Sequence, residues 1–129
     1  MHELLKKLAK LDLPESEYAI FGSGPLAIRG LKEANDLDTV VTDRLFNDLS
    51  ERYGDEDPDR LVLEGGDIEI YPARNSLLDE PDSAIDRAET IESFRFVLLE
   101  DIIRWKEKMG RQKDLEHIQI IKGFLQQEN

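Results

Sequence analysis

The segments Phe21-Gly22-Ser23-Gly24-Pro25 and Asp36-Leu37-Asp38-Thr39-Val40-Val41 decide how the rest of the chain is interpreted. They predict the end of a buried strand, a glycine turn, a short helix that starts near Pro25, and then a second strand. Alternate residues of a strand point to the same face, so Asp36 and Asp38 are expected to lie side by side. The two segments therefore predict a turn next to a pair of carboxylates.

Both features point to the same kind of ligand. Two neighbouring carboxylates repel each other, and a divalent cation offsets that repulsion; aspartate oxygens suit Mg²⁺. The turn at Gly22 and Ser23 offers backbone N–H groups at the start of a helix, which suits a phosphate group. A metal site beside a phosphate-binding turn indicates nucleotide chemistry.

Length and composition describe one ordinary domain. The chain has 129 residues, 40% hydrophobic and 36% charged, so residues 1–129 are expected to form a single domain. No apolar run approaches the roughly 18 residues of a membrane span. The first residues lack the apolar segment of a signal peptide, and the chain has no cysteine. These features predict a cytoplasmic protein without a membrane partner.

The net charge of −12 limits the choice of partners. Lysine and arginine normally make the contacts to nucleic-acid phosphates, and this chain has only 17 of them against 29 acidic residues. General binding of DNA or RNA is therefore not expected. One local basic site remains compatible with this composition.

Hydrophobic periodicity and turn residues predict an α+β domain, with a mixed β-sheet and helices packed against it. A hairpin is expected around Gly65-Gly66, and Asp43 is expected to cap the helix that follows the second strand. Predicted helices cover residues 3–11, 26–32, 44–53, 83–88, 100–109 and 113–127. Predicted strands cover residues 18–21, 37–42, 61–63, 68–71 and 94–97.

A third carboxylate lies on the second strand of the predicted hairpin. In Ile68-Glu69-Ile70 the two isoleucines face one way, and Glu69 faces the other together with Asp67 and Tyr71. If this strand neighbours the one that carries Asp36 and Asp38, three carboxylates meet. Such a set can hold two Mg²⁺ ions that bridge a triphosphate, and the third carboxylate can accept the proton of an attacking hydroxyl.

The spacing of these motifs resembles that of the nucleotidyltransferase superfamily with the DNA polymerase β-like fold, especially its small prokaryotic, minimal members. The likeness rests on Gly22-Ser23, a spacer of twelve residues, Asp36-Leu37-Asp38, and a later carboxylate between apolar residues at Ile68-Glu69-Ile70. A helix bearing Lys106 followed by Arg111-Gln112-Lys113-Asp114-Leu115 resembles the closing segment of those members.

The resemblance assigns roles to the residues that match. It implies that Asp36 and Asp38 are metal ligands and catalytic residues, and that Glu69 is the third carboxylate. Gly22 and Ser23 would hold the β- and γ-phosphates of a nucleoside triphosphate through backbone N–H groups and the serine hydroxyl. Two Mg²⁺ ions are the implied cofactors.

The resemblance also leaves choices open. Lys106 and Arg111 are candidates for neutralising the triphosphate or the acceptor. The third carboxylate of the family is usually aspartate, whereas this chain has Glu69 with Asp67 two residues earlier, so either side chain can complete the site. Lys113 is a weaker candidate.

The resemblance implies an enzyme that transfers a nucleoside monophosphate from a nucleoside triphosphate to a hydroxyl group and releases pyrophosphate. The acceptor is a protein, an RNA end or a small molecule, and neither it nor the base is determined by the sequence. The alternative is a binding or regulatory protein on the same fold, such as the antitoxin-like partner of a helical toxin protein.

Other conspicuous side chains are interpreted as structural. Trp105 is predicted to be core, and Asp114 is predicted to cap the last helix or pair with a nearby base. His2 and His117 are given no metal or catalytic role. The inner face of the last helix is predicted to carry Leu115, Ile118, Ile121 and Leu125.

Overall fold

A computed structural model describes residues 1–128, which form six α-helices and six β-strands. The helices are α1 (His2–Ala9), α2 (Gly24–Ala27), α3 (Asp43–Tyr53), α4 (Pro81–Arg87), α5 (Leu99–Met109) and α6 (Gln112–Glu128). The strands are β1 (Tyr18–Phe21), β2 (Leu37–Val41), β3 (Leu61–Leu63), β4 (Ile68–Pro72), β5 (Glu89–Ile91) and β6 (Phe94–Phe96). Within this part of the chain, no helix combines the length and apolar composition needed to cross a membrane.

All six strands belong to one mixed sheet in the order β3-β4-β2-β1-β6-β5. The pairs β1/β2, β3/β4 and β5/β6 are antiparallel, whereas β2/β4 and β1/β6 are parallel. The predicted α+β class with a mixed sheet is therefore confirmed, as is the hairpin of β3 and β4. The carboxylate-bearing strand β2 lies in the interior of the sheet, between β1 and β4.

Helices cover both faces of the sheet. One apolar cluster joins α1 and α3 to one face, with Leu5 and Phe46 against Ile20 and Ile70. The other cluster joins α4, α5 and α6 to the opposite face; it includes Phe21, Val40, Ile85, Ile102 and Ile121. Because β1 lies between these layers, each of its four residues is buried, as expected for a strand covered on both sides.

The helix after the glycine turn is shorter than predicted. It spans Gly24–Ala27, whereas the sequence pattern predicts a helix over residues 26–32. Gly30 has φ +73°, its N–H donates to the carbonyl of Ala27, and the N–H of Leu31 donates to the carbonyl of Leu26. These bonds form a Schellman motif, which ends the helix and turns the chain towards β2.

Two details of helix capping and packing were also predicted wrongly. Thr42, rather than Asp43, caps α3, because its Oγ1 accepts a hydrogen bond from the N–H of Leu45 at 3.2 Å. Asp43 instead accepts from the N–H of Arg74. On α6, Ile118 and Ile121 are buried as predicted, but Leu115 is 47% exposed and does not belong to the inner face.

The strand predicted over residues 94–97 is one half of a hairpin. It corresponds to β6, and β5 pairs with it antiparallel through Thr90 and Arg95. The connecting residues Glu92 and Ser93 both have positive φ, which usually requires glycine or asparagine in a hairpin turn. The sequence prediction missed β5 because it lacks both this turn signal and an apolar alternation.

Candidate metal centre

Three carboxylates converge where β2 and β4 run side by side. Asp38 on β2 lies directly opposite Glu69 on β4, and Asp36 precedes β2 by one residue. One oxygen of each side chain lies within 4.8 Å of the others, and all three side chains are partly exposed. Two ligands of an octahedral Mg²⁺ ion lie up to about 4.2 Å apart, twice the metal–oxygen distance. Small side-chain rotations would therefore allow this cluster to hold a metal ion.

The cluster is electrostatically strained without a cation. Burial, a hydrogen bond with Glu69 and the negative charge of Asp36 raise the pKa of Asp38 from 3.8 to about 7. Burial and the charges of Glu69 and Asp67 also raise the pKa of Asp36. A proton thus occupies part of the cluster near neutral pH, and a divalent cation would relieve the same repulsion.

The turn after β1 packs directly against one of these carboxylates. Phe21 is the cross-strand neighbour of Asp38, and Gly22 follows it with φ +65°. A Cβ atom at position 22 would lie 2.6 Å from Oδ2 of Asp38. Only glycine combines this backbone conformation with this close approach, so the turn and the carboxylate form one site.

Ser23 stands at the N-cap position of α2, yet its hydroxyl caps no backbone N–H of the helix. It accepts a hydrogen bond from Nζ of Lys32 at 3.2 Å. The positive charge of Lys32 also lowers the pKa of Asp36. Lys32 therefore brings a cation to the turn beside the carboxylates.

Sequence reasoning missed Lys32 because it placed this residue at the end of a helix. The Schellman motif at Gly30 directs the chain back towards Ser23 instead. No motif in the sequence marks this return, which depends on the tertiary path between α2 and β2. Lys32 is exposed enough to accept a ligand as a second partner.

Lys106 lies in a separate basic cluster on α5 and α6. Its side chain is buried, with Nζ 3.5 Å from Oδ1 of Asp114 and 2.9 Å from Nδ1 of His117. A protonated lysine only donates, so Nδ1 of His117 accepts this hydrogen bond. Burial lowers the pKa of Lys106, although the charge of Asp114 opposes that effect. His117 therefore has a structural contact that the sequence did not indicate.

Asp114 both caps α6 and pairs with bases, the two structural roles considered for it. It is fully buried and accepts hydrogen bonds from Nε of Arg111 at 2.6 Å and from the Arg111 backbone N–H at 3.2 Å. These bonds lower the pKa of Asp114. Lys106 and Arg111 are thus held together by Asp114. Neither residue forms a hydrogen bond with the carboxylate cluster of the metal centre, although the charge of Lys106 lowers the pKa of Asp38.

A cleft of about 450 Å³ connects the two groups of residues. We call it the aromatic cleft, because Phe21 makes edge-to-face contacts with Tyr71 and Trp105 along its wall, with ring centroids 5.7 and 5.3 Å apart. Its lining consists of Phe21, Asp38, Glu69, Tyr71, Asn75, Ser76, Leu77, Trp105, Met109, Arg111 and Lys113. The cleft is thus lined by carboxylates, cations and aromatic rings.

Trp105 belongs to the core, as predicted, and also lines the aromatic cleft. Its indole N–H is buried and has no acceptor among the residues that the structure describes. Buried donors of this kind are normally satisfied. The Trp105 N–H is therefore an unsatisfied donor within the core of the described residues.

Of the two candidates for the third carboxylate, the structure brings Glu69 to the cluster. Asp67 does not join the group of mutually close carboxylates and forms an ion pair with Lys7 of α1. Its negative charge still contributes to the raised pKa of Asp36.

Comparison of the chain with models of protein families, with curated protein sequences and with solved structures gave no match. A functional assignment must therefore rest on the chemistry of the residues around Asp38 and on the resemblance of their spacing.

Proposed function

We propose that this protein is a Mg²⁺-dependent nucleotidyltransferase with a nucleotidyltransferase-like fold. The observation that carries the proposal is the convergence of Asp36, Asp38 and Glu69 within 4.8 Å, beside the turn of Gly22 and Ser23. Burial and the mutual repulsion of these carboxylates raise the pKa of Asp38 and Asp36, and a divalent cation would offset the repulsion. A phosphate-binding turn next to such a cluster favours a substrate that carries both phosphate and metal.

The metal ligands would be Asp36, Asp38 and Glu69, and bound Mg²⁺ would neutralise the charge of the triphosphate. Ser23 and Lys32 would donate hydrogen bonds to phosphate oxygens. Glu69 would accept the proton of the acceptor hydroxyl. The hydroxyl oxygen forms a bond to the α-phosphorus, the bond from that phosphorus to the pyrophosphate oxygen breaks, and pyrophosphate leaves with the electron pair.

The aromatic cleft supports this function as the place for the base or the acceptor. Its volume of about 450 Å³ is in the range of small-molecule sites. Asp38 and Glu69 line it on one side, so a molecule in the cleft lies next to the reacting groups. The cations of Arg111 and Lys113 offer donors for polar and anionic groups.

The test is transfer of label from each of the four ribonucleoside triphosphates, labelled on the α-phosphate. The protein is incubated with Mg²⁺ or with EDTA, alone and with RNA ends, proteins and small hydroxyl compounds as acceptors. We expect Mg²⁺-dependent labelling of one acceptor class and stoichiometric release of pyrophosphate. Binding of metal and nucleotide without any transfer would instead favour the alternative, a regulatory protein such as the antitoxin-like partner of a helical toxin.

Lys32 provides a test of the phosphate-binding turn. We expect Lys32→Ala to weaken binding of a Mg²⁺–nucleoside triphosphate about 10- to 100-fold, because a charge-assisted hydrogen bond contributes ~1.5–3 kcal/mol. Calorimetric titration measures this affinity. Lys10→Ala removes the same charge from the surface ion pair with Glu64 and serves as the matched control. Equal affinities of the two variants would exclude Lys32 from the phosphate site.

A further inference from the structure

Glu69 already has a cationic partner. Nη1 of Arg60 donates to Oε1 of Glu69 at 3.0 Å, and the side chain of Arg60 is half exposed. Arg60 was not among the residues that the sequence singled out. Its contact is with the same carboxylate that completes the proposed metal site, so the inference below rests on the proposed function.

The strand pairing explains why Arg60 reaches this carboxylate. Arg60 directly precedes β3, whose first residue, Leu61, is buried and pairs with Ile70. Successive residues of an extended strand alternate between faces. Arg60 therefore lies on the face opposite Leu61, which is the face of Glu69 and Tyr71.

Arg60 also lies near two residues that line the aromatic cleft. Tyr71, the neighbour of Glu69 on that face of β4, lies near the guanidinium, and both Tyr71 and Glu69 raise the pKa of Arg60. Both Tyr71 and Glu69 line the cleft. The guanidinium thus pairs with one group of the metal cluster and lies near one group of the cleft wall.

We propose that Arg60 is the resident counter-ion of Glu69, that a divalent cation bound at the carboxylate cluster displaces it, and that the released guanidinium binds a phosphate group of the substrate. A guanidinium and a metal ion on one carboxylate repel each other as like charges. Arg60 is the partner that moves, because its side chain is long and half exposed, whereas Glu69 is largely buried. A planar guanidinium suits phosphate oxygens, since it can donate two parallel hydrogen bonds.

This exchange makes Arg60 a regulator of the site with two opposite effects. In the absence of phosphate it competes with the metal for Glu69. With metal bound it adds a donor for the anionic substrate. Binding of metal and binding of phosphate are then coupled through one side chain, and the coupling is reciprocal.

The experiment measures two affinities of the full-length protein. The first is for Mn²⁺ alone, followed by the electron paramagnetic resonance signal of the free ion. The second is for pyrophosphate at saturating Mg²⁺, followed by calorimetry. We expect Arg60→Ala to bind Mn²⁺ about three- to tenfold more tightly than the wild type, and to bind pyrophosphate about tenfold more weakly.

Arg44→Ala is the matched control. Arg44, on α3, forms ion pairs with Glu17, which precedes β1, and with Asp48. None of these residues lines the cleft, so loss of Arg44 changes the net charge equally without touching it. Both affinities of this variant should stay within about twofold of the wild type. Arg60→Gln, which retains hydrogen-bonding capacity but not charge, should reproduce the Mn²⁺ effect of Arg60→Ala; circular dichroism verifies that each variant is folded.

The outcomes separate this inference from the proposed function. If the wild type binds Mn²⁺, Glu69→Gln loses it, and Arg60→Ala equals the wild type in either titration, the role of Arg60 is wrong and the metal site stands. If neither the wild type nor Arg60→Ala binds Mn²⁺, both proposals are wrong. Mn²⁺ binding by Arg60→Ala but not by the wild type would support the proposal, because Arg60 would then outcompete the metal ion for Glu69.

Discussion

Replacement of Asp38 by asparagine is expected to stabilise the metal-free protein at pH 8 by about 1–2 kcal/mol while reducing Mg²⁺-dependent transfer at least 100-fold. Burial and the neighbouring carboxylates Glu69 and Asp36 raise the pKa of Asp38 to about 7. Ionised Asp38 therefore destabilises the folded state at pH 8, and a neutral asparagine of the same shape does not. A pKa shift of this size would correspond to ~4 kcal/mol if Asp38 were fully buried; its partial exposure to solvent reduces the effect.

The sign of the pH dependence follows from proton binding. Between pH 3.8 and about 7, folded Asp38 holds a proton that the unfolded chain releases. The contribution of Asp38 to the free energy of unfolding is thus fully present below pH 3.8 and is lost as the pH rises through about 7. The wild type should lose stability relative to Asp38→Asn over this window, and urea unfolding from pH 4 to 9 measures the difference.

Two controls distinguish this mechanism from a general effect of charge. Asp48→Asn removes an exposed carboxylate on α3 that pairs with Arg44, and should change stability by less than about 0.5 kcal/mol. Addition of Mg²⁺ should stabilise the wild type but not Asp38→Asn, because ligands stabilise only the state that binds them. If the difference in the free energy of unfolding between the wild type and Asp38→Asn did not vary with pH, ionised Asp38 would not be the cause of the destabilisation.

The second large effect is expected at Gly22. We expect Gly22→Ala to lower metal affinity more than tenfold, because the new methyl group would overlap Oδ2 of Asp38 and push that carboxylate out of the cluster. The free energy of unfolding should fall by about 2–3 kcal/mol, of which the positive φ accounts for ~1–2 kcal/mol. Urea unfolding and Mn²⁺ titration measure the two effects.

Gly54→Ala provides a close control for Gly22→Ala. Gly54 has φ +64° at the end of α3, nearly the value of +65° at Gly22, but a Cβ atom there meets nothing within 4 Å. Gly54→Ala should therefore lower the free energy of unfolding only through its positive φ, by ~1–2 kcal/mol, and should retain metal affinity. Equal effects of the two substitutions on both measurements would mean that the contact with Asp38 has no role.

The positions of the carboxylates could be predicted because they depend on strand alternation. Ile68 and Ile70 must face the core, so Glu69 faces the other way, and the same argument orients Asp36 and Asp38. What remained open was which strands are neighbours. The parallel pairing of β2 with β4, which brings Asp38 opposite Glu69, is a tertiary feature that no local pattern determines.

The contacts that surround the cluster were not predictable for a related reason. Lys32, Arg60 and His117 each meet a partner from another segment of the chain, and none lies in a motif. Leu115 shows the same limit, since helical spacing places it with Ile118, yet it is 47% exposed in the folded chain. Periodicity orients a side chain on its own element, whereas its partner depends on the packing of other elements.

The parallel pairing of β2 and β4 also determines when the site can exist during folding. Parallel neighbours cannot be joined by a tight hairpin, and here the connection passes through α3 and β3 before the chain returns. Asp38 and Glu69 therefore remain far apart in a chain that has formed only its local structure. A metal ion that needs both has no high-affinity site until the centre of the sheet is assembled, so metal occupancy would report completion of the sheet rather than an early step.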